Sequence, residues 1–317
     1  MVGSSTPPPA ATAPSSRATA EGQHVDPQRS QAMLVLESMR PKQWVKNFFV
    51  FAGLVFSGEL LLLDVEVAAW TTFVAFCLIS GATYLLNDAC DQEVDRLNPR
   101  TAGRPIARGA LERTSALIAA AVAAAGGLGL AAAVNLPTLA AAAAFVVLQI
   151  AYSNWLKHII LVDVIAISAG FVLRAYAGLV ATEVAISPWI LMCTGLLALF
   201  LALGKRRGAA IALESSEGAA KSTLHGYTVS LADELIAVVT PAIVIAYCLY
   251  AVLGARSSAM LLTAPFVIYG VFRAIYLIRD ENGLAEDPTM LAFKDRPLLV
   301  CIGLWASAAA VISVATV

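Results

Sequence analysis

Four polar residues at the end of an apolar run have the types and spacing of a cation site: Asn87, Asp88, Asp91 and Asp95. On an α-helix, at about 100° per residue, the three carboxylates share a stripe about 60° wide. Carboxylates this close repel one another, and a divalent cation removes that repulsion. Hard oxygen donors favour Mg²⁺, so we predict a magnesium site. The alternative is a solvated helix end whose acids are neutralised by the arginines that follow.

The chain that carries this stripe is too apolar for a soluble domain. Of its 317 residues, 59% are hydrophobic and 14% charged, and the mean hydropathy is +0.77. Soluble domains are roughly half apolar and about a quarter charged. These figures exclude a disordered chain, a disulfide-rich secreted module and a basic nucleic-acid binder. The five cysteines are scattered and predict neither disulfides nor a zinc site. We therefore predict an all-α integral membrane protein.

Nine apolar runs are long enough to cross a bilayer, which takes about 20 helical residues. They cover approximately residues 47–63, 67–87, 114–134, 137–156, 161–181, 187–204, 234–253, 260–278 and 297–315. Most of the 21 Lys and Arg residues precede the first run or follow the even-numbered ones. The positive-inside rule then places the N-terminus and the acidic stripe in the cytoplasm and the C-terminus outside a cell-membrane protein. Residues 1–38, rich in Pro, Ala and Ser, predict a disordered cytoplasmic tail before one domain at 39–317.

The four polar residues of the stripe match in full the NDxxDxxxD motif of the UbiA superfamily of intramembrane prenyltransferases. The chain resembles this superfamily from about Arg40 to the C-terminus. The resemblance implies a bundle of nine transmembrane helices whose cytoplasmic helical loops cap a central cavity. It also implies that Asp88, Asp91 and Asp95 are catalytic and hold Mg²⁺, which bridges the diphosphate of the donor.

The loop after the sixth run differs from that of the prenyl-transferring members, which carry a second acidic motif there. Here it has Lys205, Arg206 and Arg207, and Glu214 comes only later. With residues 40–47, 104–109 and 152–158, this basic loop resembles a narrower branch, the decaprenyl-phosphate phosphoribosyltransferases. That resemblance implies transfer of 5-phosphoribose from phosphoribosyl diphosphate to a polyprenyl phosphate, with release of diphosphate, for arabinan cell-wall precursors. The alternatives are a UbiA-type prenyltransferase acting on an aromatic acceptor, and a transporter or scaffold without chemistry.

The implied substrates carry three anionic groups and require cations beside the acidic stripe. We expect the donor to be bound by Asn87, Arg104, Tyr152, Lys157, Asp163, Lys205 and Arg206. Lys42 and Lys46 are expected to bind the lipid phosphate. Asp163 would accept a ribose hydroxyl or hold a second Mg²⁺, and Arg174 is either functional or paired within the bundle. The expected partners are phosphoribosyl diphosphate, polyprenyl phosphate and membrane lipids, but no nucleic acid; a homo-oligomer is left open.

Overall fold

The computed structural model describes residues 30–57, 62–183, 187–214, 226–255, 257–279 and 294–315, and the regular structure in these ranges is helical throughout. The α-helices are α1 Gln31–Ser38, α2 Ala52–Ser57, α3 Leu63–Cys90, α4 Gln92–Leu97, α5 Arg113–Val134, α6 Leu136–Asn154, α7 Val162–Ala181, α8 Pro188–Glu214, α9 Val229–Leu249, α10 Ala264–Arg279 and α11 Arg296–Ala315. Shorter 3₁₀ segments cover Pro41–Phe51, Leu156–His158 and Ser258–Thr263. A π-helical turn, Tyr250–Gly254, extends α9.

Eight helices in the described ranges are long and apolar enough to cross a membrane. They are α3, α5, α6, α7, α8, α9 with its π-helical extension, the continuous segment Ser258–Arg279, and α11. These eight coincide with the second to ninth predicted runs. The first predicted run, 47–63, is instead part of the 3₁₀ segment Pro41–Phe51 followed by the six-residue α2, and residues 58–61 lie outside the described chain. The predicted count of nine is therefore not confirmed.

Contacts with α7 explain why the first run is not one regular helix. A Cβ atom on Gly178 would lie 1.8 Å from the carbonyl oxygen of Val50, so only glycine allows the 3₁₀ backbone to approach α7 this closely. One turn nearer the start of α7, on the same face, the buried Arg174 donates a hydrogen bond to Asn47 Oδ1 at 2.7 Å. Its guanidinium lies 4.3 Å from the ring centroid of Phe145. Arg174 is thus paired within the bundle, through neutral groups and an aromatic face.

Helix α1 lies inside the segment predicted to be a disordered tail. Ser30 caps it by accepting a hydrogen bond from the backbone N–H of Met33 at 3.3 Å. Leu34 is buried in a cluster with Leu85 of α3 and Ile106 of the loop before α5. This burial stabilises the helix, so residues 31–38 are folded and do not belong to a disordered tail as predicted. Residues 1–29 lie outside the described chain.

Helices α3 and α7 form the centre of the bundle. In each of them 56% of the most apolar stretch is buried, against 22% in α5, α6 and α11. The outer helices expose large apolar side chains such as Val122, Val147 and Val238, as expected for surfaces that face lipid. The acidic stripe stands at the C-terminal end of α3, and Asp163 at the N-terminal end of α7. The fold therefore brings these charged helix ends to the same end of the bundle.

Candidate functional site

The acidic stripe keeps almost helical geometry although α3 ends within it. Asp91 lies between α3 and α4 with φ −91° and ψ 11°. Its backbone N–H donates to the carbonyl oxygen of Asn87, and the N–H of Asp95 donates to that of Asp91, both at 2.8 Å. The i to i−4 hydrogen-bond pattern therefore continues across the junction, as the spacing predicts.

Asp88 and Asp95 are buried and neutralised by arginines. Arg104 Nη1 lies 3.1 Å from Asp88 Oδ1 and 2.6 Å from Asp95 Oδ2. Arg40 also pairs with Asp88 Oδ1, and its guanidinium lies 4.7 Å from the ring centroid of Tyr84. We call Arg40, Asp88, Asp95 and Arg104 the paired cluster. These arginines hold two of the three carboxylates, and among the described residues no group of three or more His, Cys, Asp or Glu side chains is arranged to hold a metal.

The loop between α4 and α5 is folded so that Arg104 reaches this cluster. Ile106 is fully buried and anchors the loop in the core. Gln92 donates to the Ile106 carbonyl at 3.1 Å, and Arg96 donates to the Ala107 carbonyl at 2.9 Å. These contacts fix the backbone just after Arg104, so its position is set by the loop and not by the ion pairs alone.

Asp91 has different surroundings from its two neighbours. With Asn87 and Lys157 it lines a pocket between the ends of α3 and α6, into which Gln149 and Ser153 of α6 also project. The side chains of these five residues make no hydrogen bond or ion pair with any part of the chain that the structure describes. Polar groups left unsatisfied on membrane helices are destabilising, so this pocket is suited to a polar ligand.

A second charged group joins three of the predicted donor-binding residues. Arg206 Nε lies 2.7 Å from the buried Asp163 Oδ2, and Arg206 Nη2 donates to the hydroxyl of Tyr152 at 3.4 Å. Tyr227 OH donates to Asp163 Oδ1 at 2.7 Å. The start of α7, the middle of α8 and the segment before α9 therefore meet beside Tyr152, the neighbour of Ser153 in the pocket. Asp163 already has two protein partners, so it too could act as a magnesium ligand only by releasing one of them.

Tyr227 and Arg40 are the site residues that sequence reasoning missed. The Tyr227 hydroxyl also accepts a hydrogen bond at 3.0 Å from the N–H of Leu161, whose backbone has a positive φ of 66°. Burial and the bond to Asp163 raise the pKa of Tyr227, which keeps the phenol a neutral donor. No pattern in the sequence marks Tyr227. Arg40 was a positive charge before the first run and part of residues 40–47, which resemble the narrower branch, but nothing in the sequence indicates that it pairs with Asp88.

The other predicted cations lie on two elements. Lys205 is exposed on α8. Lys42 is exposed and Lys46 half-buried on the 3₁₀ segment Pro41–Phe51. The side chain of Glu214 lies outside the described residues. Donor binding by Lys205 and lipid-phosphate binding by Lys42 and Lys46 remain predictions.

The donor set at the end of α3 has the chemistry of a magnesium site. Asp91 and Asn87 offer unpartnered oxygen atoms to the pocket, and Asp88 and Asp95 lie on the same helical stripe. Hard carboxylate and amide oxygens are the ligands that Mg²⁺ prefers. The residues therefore fit the ion, on condition that Asp88 and Asp95 release Arg40 and Arg104 when it binds.

Comparison with known proteins shows the family of the chain. Residues 47–294 match the UbiA prenyltransferase family. The chain is 32% identical over 287 residues to the decaprenyl-phosphate phosphoribosyltransferase of Mycolicibacterium smegmatis, covering 86% of this chain and 89% of that protein. It is 30% identical over 306 residues to the Corynebacterium glutamicum protein of the same name, covering 92% and 90% of the two chains.

Solved structures show the same fold. A UbiA homologue from Archaeoglobus fulgidus, bound to GPP and Mg²⁺, superposes with a TM-score of 0.69 at 19% identity, covering 89% of this chain and 99% of that one. The all-helical architecture and the long apolar helices agree with this likeness. The chain is a multi-pass membrane protein and belongs to the UbiA prenyltransferase family.

Proposed function

We propose that this protein transfers 5-phosphoribose from phosphoribosyl diphosphate to a polyprenyl phosphate of the decaprenyl type, releasing diphosphate. Such a product would supply arabinan cell-wall precursors. The relatives named decaprenyl-phosphate phosphoribosyltransferase support the proposal. The main observation behind the proposal is the pairing of Arg206 with Asp163 beside Tyr152. Arg206 belongs to the loop in which the prenyl-transferring members carry a second acidic motif, so a cation replaces acids there.

Mg²⁺ is the proposed cofactor, as the Archaeoglobus fulgidus homologue bound to GPP and Mg²⁺ supports. Asp88, Asp91 and Asp95, with Asn87, would hold it. When bound, Mg²⁺ stabilises the charge that develops on the leaving diphosphate. Arg104, partly exposed and released from the carboxylates, would then be available to a donor phosphate.

The protein's own residues bind and orient the two substrates. Lys157 at the pocket mouth and Arg206 would bind the diphosphate and the 5-phosphate as cations. Lys42 and Lys46 would hold the phosphate of the lipid. That phosphate is already anionic, so no general base is required. Its oxygen attacks the anomeric carbon opposite the leaving group, the bond to the diphosphate oxygen breaks, and diphosphate leaves with the electron pair, inverting the configuration.

The membrane orientation belongs to the same proposal. The charged loops and the N-terminus would face the cytoplasm, where a water-soluble sugar diphosphate is made, and the C-terminus would lie outside. The polyprenyl chain would lie along the apolar helix surfaces, open to the bilayer.

The test is a choice between donors. Purified protein in liposomes receives labelled phosphoribosyl diphosphate with decaprenyl phosphate, or labelled isoprenyl diphosphate with an aromatic acceptor. We expect a charged, labelled glycolipid in the first reaction, lost when EDTA removes divalent cations. Product only in the second reaction would assign the protein to prenyl transfer. No product in either, with folded protein, would support a transporter or scaffold.

A further inference from the structure

The pocket between α3 and α6 is built from two parallel rows of polar residues. On α3 the row is Thr83, Asn87 and Asp91; on α6 and the short segment after it, the row is Gln149, Ser153 and Lys157. Members of each row are four residues apart, so each row lies on one face of its helix, about 6 Å between members. Both helices end at the mouth of the pocket. We call these six residues the pocket rows.

The chemistry of the pocket rows changes with depth. The charged groups, Asp91 and Lys157, stand at the mouth, beyond the last turns of α3 and α6. One turn further in are Asn87 and Ser153, and a second turn further in are Thr83 and Gln149. At the mouth, Lys157 can bind an anion and Asp91 can hold the cation that accompanies it; the inner part offers neutral hydrogen-bonding groups.

Gln149 and Ser153 are polar pocket residues that have had no role so far. Both lie on a helix long and apolar enough to span a membrane, and both are only partly buried. Neither side chain has a hydrogen-bond partner among the described residues. An apolar ligand placed against them would leave an amide and a hydroxyl unsatisfied, which disfavours binding. A ligand rich in hydroxyl groups satisfies both.

We infer that Gln149 and Ser153 bind the hydroxyl groups of the donor's sugar ring and select a hydroxylated sugar diphosphate over an isoprenyl diphosphate. This inference rests on the proposed function and assigns a part of the donor to residues that the family motif does not include. The charged mouth takes the diphosphate, and the inner rows take the sugar. An isoprenyl chain on the same diphosphate would lie against Gln149 and Ser153 without a group that can form hydrogen bonds with them.

The experiment compares two ligands that share a diphosphate but differ in the sugar. Dissociation constants for phosphoribosyl diphosphate and for inorganic pyrophosphate are measured by calorimetry on the full-length protein in detergent with Mg²⁺. The variants are Gln149→Leu and Ser153→Ala. Val147→Leu is the control, because Val147 lies on the same helix and is exposed on its outer face. Losing one hydrogen bond is expected to weaken phosphoribosyl diphosphate binding about tenfold, with pyrophosphate binding changed less than about twofold.

Unchanged pyrophosphate binding also shows that a variant is folded. If Gln149→Leu does not fold, Ser153→Ala alone still tests the inference. If the wild type prefers phosphoribosyl diphosphate over pyrophosphate and the variants keep that preference, the inference is wrong and the proposed function stands. If the variants weaken the binding of both ligands equally, the inference is also wrong, because the residues would then shape the pocket without contacting the sugar. If the wild type shows no preference and makes no glycolipid, the proposed function fails and the inference fails with it.

Discussion

The paired cluster and the pocket rows share one helix end but treat their polar groups in opposite ways. In the paired cluster, Asp88 and Asp95 are buried and bonded to two arginines. In the pocket rows, Asp91 and Lys157 face a pocket and have no partner among the described residues. Neighbouring carboxylates of one motif therefore differ in what they bind in the structure. Asp88 and Asp95 bind Arg104 and so help to hold its loop, and Asp91 is available to a ligand.

This difference separates residues that stabilise the fold from residues that contribute little to its stability. A buried carboxylate that loses its arginine is strongly destabilising, because the remaining charge is uncompensated. A polar group facing an open pocket contributes little to the fold and is retained for binding. Substitutions in the two regions should thus separate stability from activity.

The largest expected effect is on turnover, from Asp91→Asn. Removing one carboxylate from the site that would hold Mg²⁺ should lower phosphoribosyl transfer by about a thousandfold or more, or about 4 kcal/mol of transition-state stabilisation. The midpoint of thermal unfolding should stay near that of the wild type, because Asp91 has no protein partner among the described residues. Asp88→Asn should lower both activity and the unfolding midpoint. Similar losses of stability in both variants would remove the distinction between the two regions.

Lys157→Met should mainly impair donor binding. Loss of a cation at the pocket mouth is expected to raise KM for phosphoribosyl diphosphate by about 10- to 100-fold, with KM for the lipid little changed. Arg113→Gln is the control, since it removes an exposed positive charge at the start of α5. Steady-state kinetics with each substrate varied in turn gives the answer. Equal effects from both variants would mean that only overall charge matters.

The Asp95–Arg104 pair should show energetic coupling in unfolding experiments. In a double-mutant cycle with Asp95→Asn and Arg104→Gln, we expect a coupling free energy of about 1–2 kcal/mol. The same cycle on Asp91 and Lys157, which form no ion pair in the structure, should give a value near zero. Chemical denaturation in detergent measures both. A coupling in the second pair as large as in the first would contradict the description of the pocket rows.

Tyr227→Phe should have the smallest effect. It removes the hydroxyl that bridges Asp163 and Leu161, and the expected loss is about 1 kcal/mol in the free energy of unfolding. Because the pKa of Tyr227 is raised in the folded protein, its contribution is complete below the ordinary tyrosine value of about 10 and is lost only at higher pH. The stability difference between variant and wild type should therefore be constant from neutral to mildly alkaline pH. A difference that shrinks in that range would show that the phenol ionises early.

The sequence predicted the features that depend on local pattern. Runs of about 20 apolar residues predict the eight long helices, because each must satisfy its own backbone in lipid. The seven-residue spacing, about two helical turns, predicts that Asp88 and Asp95 share a stripe, and both contact the same guanidinium. Tyr152 and Arg206 were predicted from the resemblance to the narrower branch, and Asp163 from its charge at the start of the fifth run; the structure brings the three together.

Features that depend on contacts between distant segments could not be predicted. The irregular first run depends on Gly178, more than a hundred residues away in the sequence. The arginine partners of the acidic stripe depend on how the loop before α5 is folded over α4. Helix α1 forms because Leu34 finds a buried site against α3, and its sequence context is typical of a tail.

The proposed site is tested most directly by a structure of the protein with phosphoribosyl diphosphate and Mg²⁺ bound. We expect density for the diphosphate at the pocket mouth, in contact with Asp91 and Lys157, with Arg104 no longer bonded to Asp95. Density for the donor elsewhere, with Asp88 and Asp95 still bonded to their arginines and the pocket rows empty, would contradict the proposed site.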